Sequence, residues 1–211
     1  MNTDHISVNA QSSIRIEGSR ILYFDPFKIA EKTGDADFIF ITHPHFDHFD
    51  GAAIANISNE KTVFVAPASM KKEAEKAAGG RQLLVMKPGE ELVVGEIRIH
   101  AVPAYNKLKP FHPKRNGWLG YVVEMDGVTY YAAGDTDAVK ELAALSCDIA
   151  LVPIGGTYTM TAVQAAELVN AIHPVCAIPI HYGDIVGTAK DADVFAEKVD
   201  KEIEVVRKLK V

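Results

Sequence analysis

An apolar run, Phe38-Ile39-Phe40-Ile41, passes without a spacer into Thr42-His43-Pro44-His45-Phe46-Asp47-His48. Three histidines and a carboxylate therefore fall within six positions at the end of what reads as a strand. Neutral imidazole nitrogens and carboxylate oxygens are the ligands of zinc and similar divalent ions. Alternate residues leaving a strand can point one way while the next pair turns elsewhere, so one such loop can begin two metal sites. A polar surface loop with chance histidines does not account for that density directly after a strand.

Two later segments repeat the form, a polar ligand type at the carboxyl end of an apolar run. Tyr131-Ala132-Ala133-Gly134-Asp135-Thr136 ends in a glycine and a carboxylate, and Ile178-Pro179-Ile180-His181-Tyr182-Gly183 ends in a histidine. Taken singly, the first is an ordinary turn and the second a strand-end histidine. Open sheets place ligands outside the carboxyl ends of their strands, so all three segments can converge.

The rest of the chain fits around them. Short apolar runs predict strands over 13–16, 21–24 and 38–41, then a short helix over 51–57 and a strand over 62–65. Helix formers over 69–78, closed by Gly79-Gly80, predict a helix with Ser69 as its N-cap. Runs over 82–86, 91–94 and 96–102, broken at Pro88-Gly89 and Gly95, read as a meander. A polar, aperiodic stretch from Tyr105 to Asn116 follows, and a loop that long inside a domain is often functional. Strands over 118–125 and 128–133 are joined by the hairpin signal Asp126-Gly127. Two βα-like units complete the chain: a strand over 149–154 with a helix over 162–170, whose start at Thr161 has capping-box spacing, and a strand over 177–180 with a helix over 191–199. A last strand lies near 204–206.

Composition limits the function classes. Over 211 residues, 22 basic side chains against 28 acidic ones leave a net charge of −6, which argues against a nucleic-acid binder. No apolar run approaches the roughly 18 to 20 residues of a membrane span, and the N-terminus lacks the pattern of a secretory signal, so a cytoplasmic setting is expected. Cys147 and Cys176 stand in apolar strand contexts and read as buried structural thiols. His5 falls in an N-terminal tail expected to be mobile. His100 lies in a strand alternation and His173 at a helix end, and neither is expected to be a ligand.

His43, His45, Asp47 and His48 match the HxHxDH signature of the metallo-β-lactamase-fold hydrolases, which this chain resembles over nearly its whole length. The strand ending in Asp25-Pro26 and the segment Pro153-Ile154-Gly155-Gly156-Thr157-Tyr158-Thr159-Met160 are similar to a compact branch of uncharacterised metal-dependent hydrolases, ascorbate-6-phosphate lactonases and phospholipid-cleaving phosphodiesterases. The resemblance implies an α/β fold, an αββα four-layer sandwich, in one domain of two related halves, about 1–105 and 117–211. It implies that His43 and His45 hold a first ion, that Asp47, His48 and His181 hold a second, and that Asp135 bridges them. A further family histidine for the first ion is replaced here by Asn106. Three ways of completing that site stay open: His112 folds in from the long loop, Asn106 ligates or orients water, or only the second site fills tightly.

By this resemblance the chain is a zinc-dependent hydrolase, with manganese or iron as alternatives, in which hydroxide on the metals attacks a carbonyl or phosphoryl centre. Asp47 and Asp135 are then its catalytic carboxylates. Asp25 is placed to accept the free N–H of a ligand histidine. Tyr158, Asn106, Gly155 and Gly156 are the expected substrate contacts, the glycines by close approach of backbone to an anion. Lys107, Lys109, Lys114 and Arg115 in the long loop favour a small anionic ester, lactone or phosphodiester. Two competing readings are a metal-holding module without turnover, motivated by Asn106, and a di-iron redox protein, whose relatives carry a carboxylate where His45 stands.

Overall fold

In the computed structural model, which describes residues 1–210, thirteen strands form two mixed sheets. The first contains β1 (Ile6–Val8), β2 (Ile14–Glu17), β3 (Ile21–Phe24), β4 (Ala36–Phe40), β5 (Ser58–Pro67) and β6 (Leu83–Met86), in that spatial order. The second runs from β7 (Glu91–Val94) through β8 (Ile97–Pro103), β9 (Leu119–Met125), β10 (Val128–Ala132), β11 (Ile149–Pro153) and β12 (Cys176–Ile180) to β13 (Glu204–Val205). In each sheet antiparallel strands come first and parallel ones follow, the change falling at β3/β4 and at β10/β11.

Strand β4 and its extension show why the layers stack. Phe38 and Phe40 point into the core between the sheets, while Ile39 and Ile41 point outward beneath α1 (Gly51–Ile57) and α2 (Lys71–Ala78). Both faces are apolar because both are covered, as parallel strands require. On the far side, α3 (Ala162–Ile172) and α4 (Ala189–Lys198) pack on each other and α3 packs on β11, completing the four layers αββα. Phe40 stacks on Phe24 at 4.6 Å between ring centroids and meets Tyr121 of the opposite sheet at 5.3 Å. The buried Tyr121 hydroxyl donates to Ile41 O at 2.7 Å, tying the second sheet to the strand that feeds the histidine loop.

Several local expectations change. The run over 82–102 is not one meander: β6 pairs parallel with β5 in the first sheet, and the chain crosses to the second sheet before β7. Ser69 is no N-cap, because a 3-10 turn at Ala68–Met70 precedes α2 and Met70 stands at the cap without a side-chain bond. Helix α4 starts at Ala189, capped by Thr188 with Asp191. The N-terminus is tied down: β1 pairs with β2, and His5 Nε2 lies 2.9 Å from the Tyr130 hydroxyl. The expected capping box at Thr161 and Gln164 is present. Among the described residues no helix is long and apolar enough to cross a membrane.

Candidate metal centre

Every residue of the centre but those of the long loop leaves the carboxyl end of a parallel strand. Asp25 follows β3, the histidine loop follows β4, Asp135 follows β10 and His181 follows β12. Asp25 and His181 adopt left-handed backbone, with φ of 44° and 57°. For residues with a Cβ this costs about 1–2 kcal/mol each and is a form of strain that clusters at functional sites. Gly134 lets the strand end carrying Asp135 lie against the histidine loop: a Cβ there would stand 2.8 Å from Leu119 O and 3.0 Å from Thr42 Cβ.

Three sets of ligand types have their atoms within 4.8 Å of one another: His43, His45 and His112; Asp47, His48 and His181; and Asp25 with His43 and His48. In the last set Asp25 is taken up by the Nδ1 side of His48 and by Thr42, which leaves the first two as the inward-facing groups. Asp135 lies between them. Its Oδ2 faces His112 Nε2 at 3.2 Å and His43 Nε2 at 3.9 Å, and its Oδ1 faces His48 Nε2 at 3.3 Å and His181 Nε2 at 3.4 Å. Asp47 Oδ2 lies 3.3 Å from His181 Nε2 and 3.5 Å from His48 Nε2. Of the three ways to complete the first group, the structure brings in His112, which is 1% exposed. Asn106 does not reach the cluster as a ligand, since both ends of its amide bond to protein groups.

Hydrogen bonds behind the cluster fix which nitrogens face inward. Asp25 is buried and accepts from Thr42 N at 2.8 Å, Thr42 Oγ1 at 2.6 Å and His48 Nδ1 at 2.7 Å. Thr42 has one hydroxyl proton and gives it to Asp25, so its oxygen accepts from His43 Nδ1 at 2.9 Å. In their neutral forms His43 and His48 thus both carry the proton on Nδ1 and turn the Nε2 lone pair to the centre, as metal-site histidines do. His43 Nε2 and His45 Nδ1 converge at 3.0 Å.

Electrostatics follow from this crowding. Burial, with charge on His48, holds His43 well below the ordinary histidine range, and burial with His112 lowers His45. Burial pulls His48 down too, but Asp135 and Asp25 outweigh it and raise it to about 9. Burial would lift Asp135, yet His181 and His48 drive it well below the usual carboxylate range; His181 likewise outweighs burial in lowering Asp47. Burial raises Asp25 even against its three donors.

The other expected site residues divide. Gly155 is required by packing, because a Cβ would fall 2.4 Å from His181 O, so that space holds the loop of His181. Gly156 N donates to Met160 O within the same turn. Tyr158 is half-buried and packs edge-on against Phe111 at 4.7 Å. His100 lines a cleft with Tyr105, Lys114, Trp118 and Glu141 and does not join the ligand groups, and His173 is the left-handed C-cap of α3. Cys147 and Cys176 are buried and unpaired. Sequence reasoning missed Trp118, whose ring lies 5.0, 5.1 and 5.5 Å from those of His43, His45 and His112. It is the chain's single tryptophan, placed where the long loop re-enters the sheet. Thr42 was missed as well.

Buried polar atoms test whether this set suits metal. His48 Nε2, His112 Nε2, His181 Nε2 and Asp135 Oδ1 are inaccessible and have no hydrogen-bond partner, yet lie within a few ångströms of one another. Orphaned polar groups cost about 1–3 kcal/mol each. Divalent cations satisfy all of them at once, and imidazole with carboxylate is the donor chemistry such ions take.

A sequence model of the β-lactamase superfamily domain matches residues 6–181. The chain belongs to the metallo-β-lactamase-fold hydrolase superfamily. Within the superfamily, a UPF0173 metal-dependent hydrolase of Thermococcus kodakarensis is 34% identical over 204 residues, 90% of each chain. The crystal structure of a Parabacteroides distasonis protein assigned as a metal-dependent hydrolase is 30% identical, has a TM-score of 0.79, and overlaps 97% of this chain and 93% of its own. The di-iron β-hydroxylase CmlA of Streptomyces venezuelae, at 13% identity and a TM-score of 0.75, overlaps 97% of this chain and 52% of its own, a likeness of fold alone.

Proposed function

We propose that this chain is a dinuclear metallo-hydrolase that cleaves an ester, lactone or phosphodiester bond of a small molecule. His43, His45 and His112 hold one ion, Asp47, His48 and His181 the other, and Asp135 is shared. The observation that supports this most is the set of orphaned, buried nitrogens and carboxylate oxygen converging from three strand ends and the long loop. The donor set suits zinc first, with manganese or iron admitted by the same ligands. Such ions supply Lewis acidity and an activated water.

The chain's own groups do the rest. Asp47 engages both histidines of its group through Oδ2 and leaves its other oxygen to accept a proton from a reacting water. Its lowered pKa keeps it ionised for that task. Trp118 walls the first group of histidines with an apolar ring, which strengthens the electrostatics inside. A thiol nucleophile is disfavoured because burial pushes Cys147 up to about 12 and Cys176 up to about 11. Buried, unpaired cysteines also accord with a cytoplasmic setting.

The rim speaks to the substrate. Lys109 pairs with Asp137 and Lys114 with Glu141, which leaves Lys107 and Arg115 as the loop's cations without an acidic partner among the described residues. Phe46 is 68% exposed, Leu108 97%, Phe111 42% and Ile185 37%, all on loops that carry ligand histidines. Apolar side chains left in water there support a substrate with an apolar group beside the bond that breaks.

A panel of esters, lactones and phosphodiesters tests the reading with wild type, His48→Ala and Asp135→Ala. The expected result is turnover by wild type and joint loss of metal and turnover in both variants. Unchanged metal content in the variants overturns the ligand assignment. Metal uptake with no turnover of any substrate class favours the metal-holding module.

A further inference from the structure

The segment between β8 and β9 has no ladder of its own, yet it delivers His112 to the candidate metal centre with its Nε2 3.2 Å from Asp135 Oδ2. What holds it is Asn106. Its backbone N donates to His112 O at 2.7 Å, closing the loop into a ring. Its side-chain Oδ1 accepts from His112 N at 3.2 Å and from His112 Nδ1 at 3.0 Å. Its Nδ2 donates to Tyr158 O at 2.9 Å and to Asp137 Oδ1 at 3.3 Å. Asp137 is itself held by Lys107 N at 2.9 Å and by the Lys109 ammonium, which also donates to Thr159 O at 2.7 Å.

These partners leave the amide one orientation. A peptide carbonyl and a carboxylate only accept here, so the NH2 group must face Tyr158 and Asp137. The peptide N–H of His112 only donates, so the oxygen must face His112. With Oδ1 directed at it, His112 Nδ1 has to be the protonated nitrogen. The lone pair then lies on Nε2, aimed at Asp135 and the other two histidines of the group. Asparagine is suited to this because it accepts at one end and donates twice at the other. A carboxylate at this position keeps the acceptor, loses both donations and stands against Asp137.

We propose that Asn106 is a positioning residue that selects the tautomer of His112 and seats it as the third histidine of the first metal group. The proposal rests on the dinuclear reading above. It gives this residue a role beside the ligand rather than as ligand or substrate contact, with Asp137 and Lys109 anchoring it in turn.

The test pairs a metal-free and a metal-binding readout on the full chain. In the metal-free protein, nitrogen–proton correlation spectra of the histidine rings should show His112 protonated on Nδ1 in wild type and redistributed in Asn106→Ala. Titration with zinc and with cobalt should show one of the two ions weakened about 10- to 100-fold in Asn106→Ala, the usual effect of removing a partner behind a ligand. The other ion should be unmoved. In the His112→Ala background, Asn106→Ala should cost nothing further, since the two act as one unit. Asn106→Asp, which keeps the acceptor, should retain the tautomer even where affinity falls, and serves if the alanine variant does not fold.

A wild-type His112 protonated on Nε2, or additive losses in the double variant, overturns the proposal. If the tautomer is as stated but wild type binds fewer than two ions, the dinuclear reading fails and the seating of a ligand fails with it. If two ions bind and the tautomer is wrong, the dinuclear reading stands and only the role of Asn106 is lost.

Discussion

Asp25→Asn separates charge from shape at the carboxylate that orients two histidines. Asparagine has the same size and tolerates the left-handed φ of 44° found at this position. The carboxylate accepts three hydrogen bonds, two on Oδ2 from Thr42 Oγ1 and His48 Nδ1, and one on Oδ1 from Thr42 N. An amide cannot serve all three. With its oxygen toward His48, its NH2 meets the Thr42 N–H donor to donor; turned round, it meets His48 Nδ1–H. One buried donor is left unpaired, at about 1–3 kcal/mol, and the surviving bonds lose their charge, at about 1 kcal/mol more. The expected loss of stability is therefore about 2–4 kcal/mol. For a chain of this size that lowers Tm by roughly 5–15 °C. His48 can relieve the clash by moving its proton to Nε2, which removes the lone pair aimed at Asp47 and Asp135. Affinity for the ion held by Asp47, His48 and His181 should then fall about 10- to 100-fold, read by cobalt titration, with calorimetry giving Tm. A lowered Tm with unchanged affinity for both ions would refute the argument that Asp25 acts through His48.

Other consequences are open to direct measurement. In metal-free protein the His48 pKa is raised from its unfolded value of 6.5 to about 9, so its contribution to stability is complete below pH 6.5 and is lost as pH rises through 9. That loss is on the order of 3 kcal/mol, and the metal-free Tm should fall between pH 6 and pH 9.5; a flat profile would contradict it. Gly155→Ala should disturb His181 and weaken the ion of its group, because the new methyl meets the His181 carbonyl oxygen as well as the Val186 side chain. Normal cobalt binding in that variant would show that the loop yields. Phe46→Ser should keep two ions but lower kcat/KM about fivefold for esters with long acyl chains relative to acetyl esters, equivalent to about 1 kcal/mol of lost apolar contact. An equal effect on both ester classes would count against an apolar subsite.

How much of this was legible in the chain depended on whether the signal was local. The apolar run before His43 reads as a buried strand because burial on both faces leaves no polar position in it. Asp135 and His181 stand out because each ends such a run. The split of 82–102 between two sheets was not legible: Pro88-Gly89 looks alike whether it turns a hairpin or a crossing, and only the pairing of β6 with β5 decides. Ser69 looks like a cap, but a 3-10 turn carries the chain past it before the helix begins. The strand at Ile6–Val8 is three residues long and draws its stability from β2. At the site, the substitution of Asn106 for a family histidine looked like a loss. The histidine proposed in its place, His112, is six positions away in a loop without periodicity. Their pairing depends on Asp137 and Tyr158, which arrive from other loops, and no local pattern encodes such a meeting. Trp118 escaped notice for the same reason.

Metal stoichiometry tests the central claim most directly. Protein purified without chelator, or reconstituted with zinc, should carry two ions per chain by native mass spectrometry. His112→Ala should carry one and Asp135→Ala fewer than two, and chelation of wild type should remove the ions and the hydrolytic activity together. A wild type that saturates at one ion, or hydrolysis that survives complete removal of metal, would contradict the account.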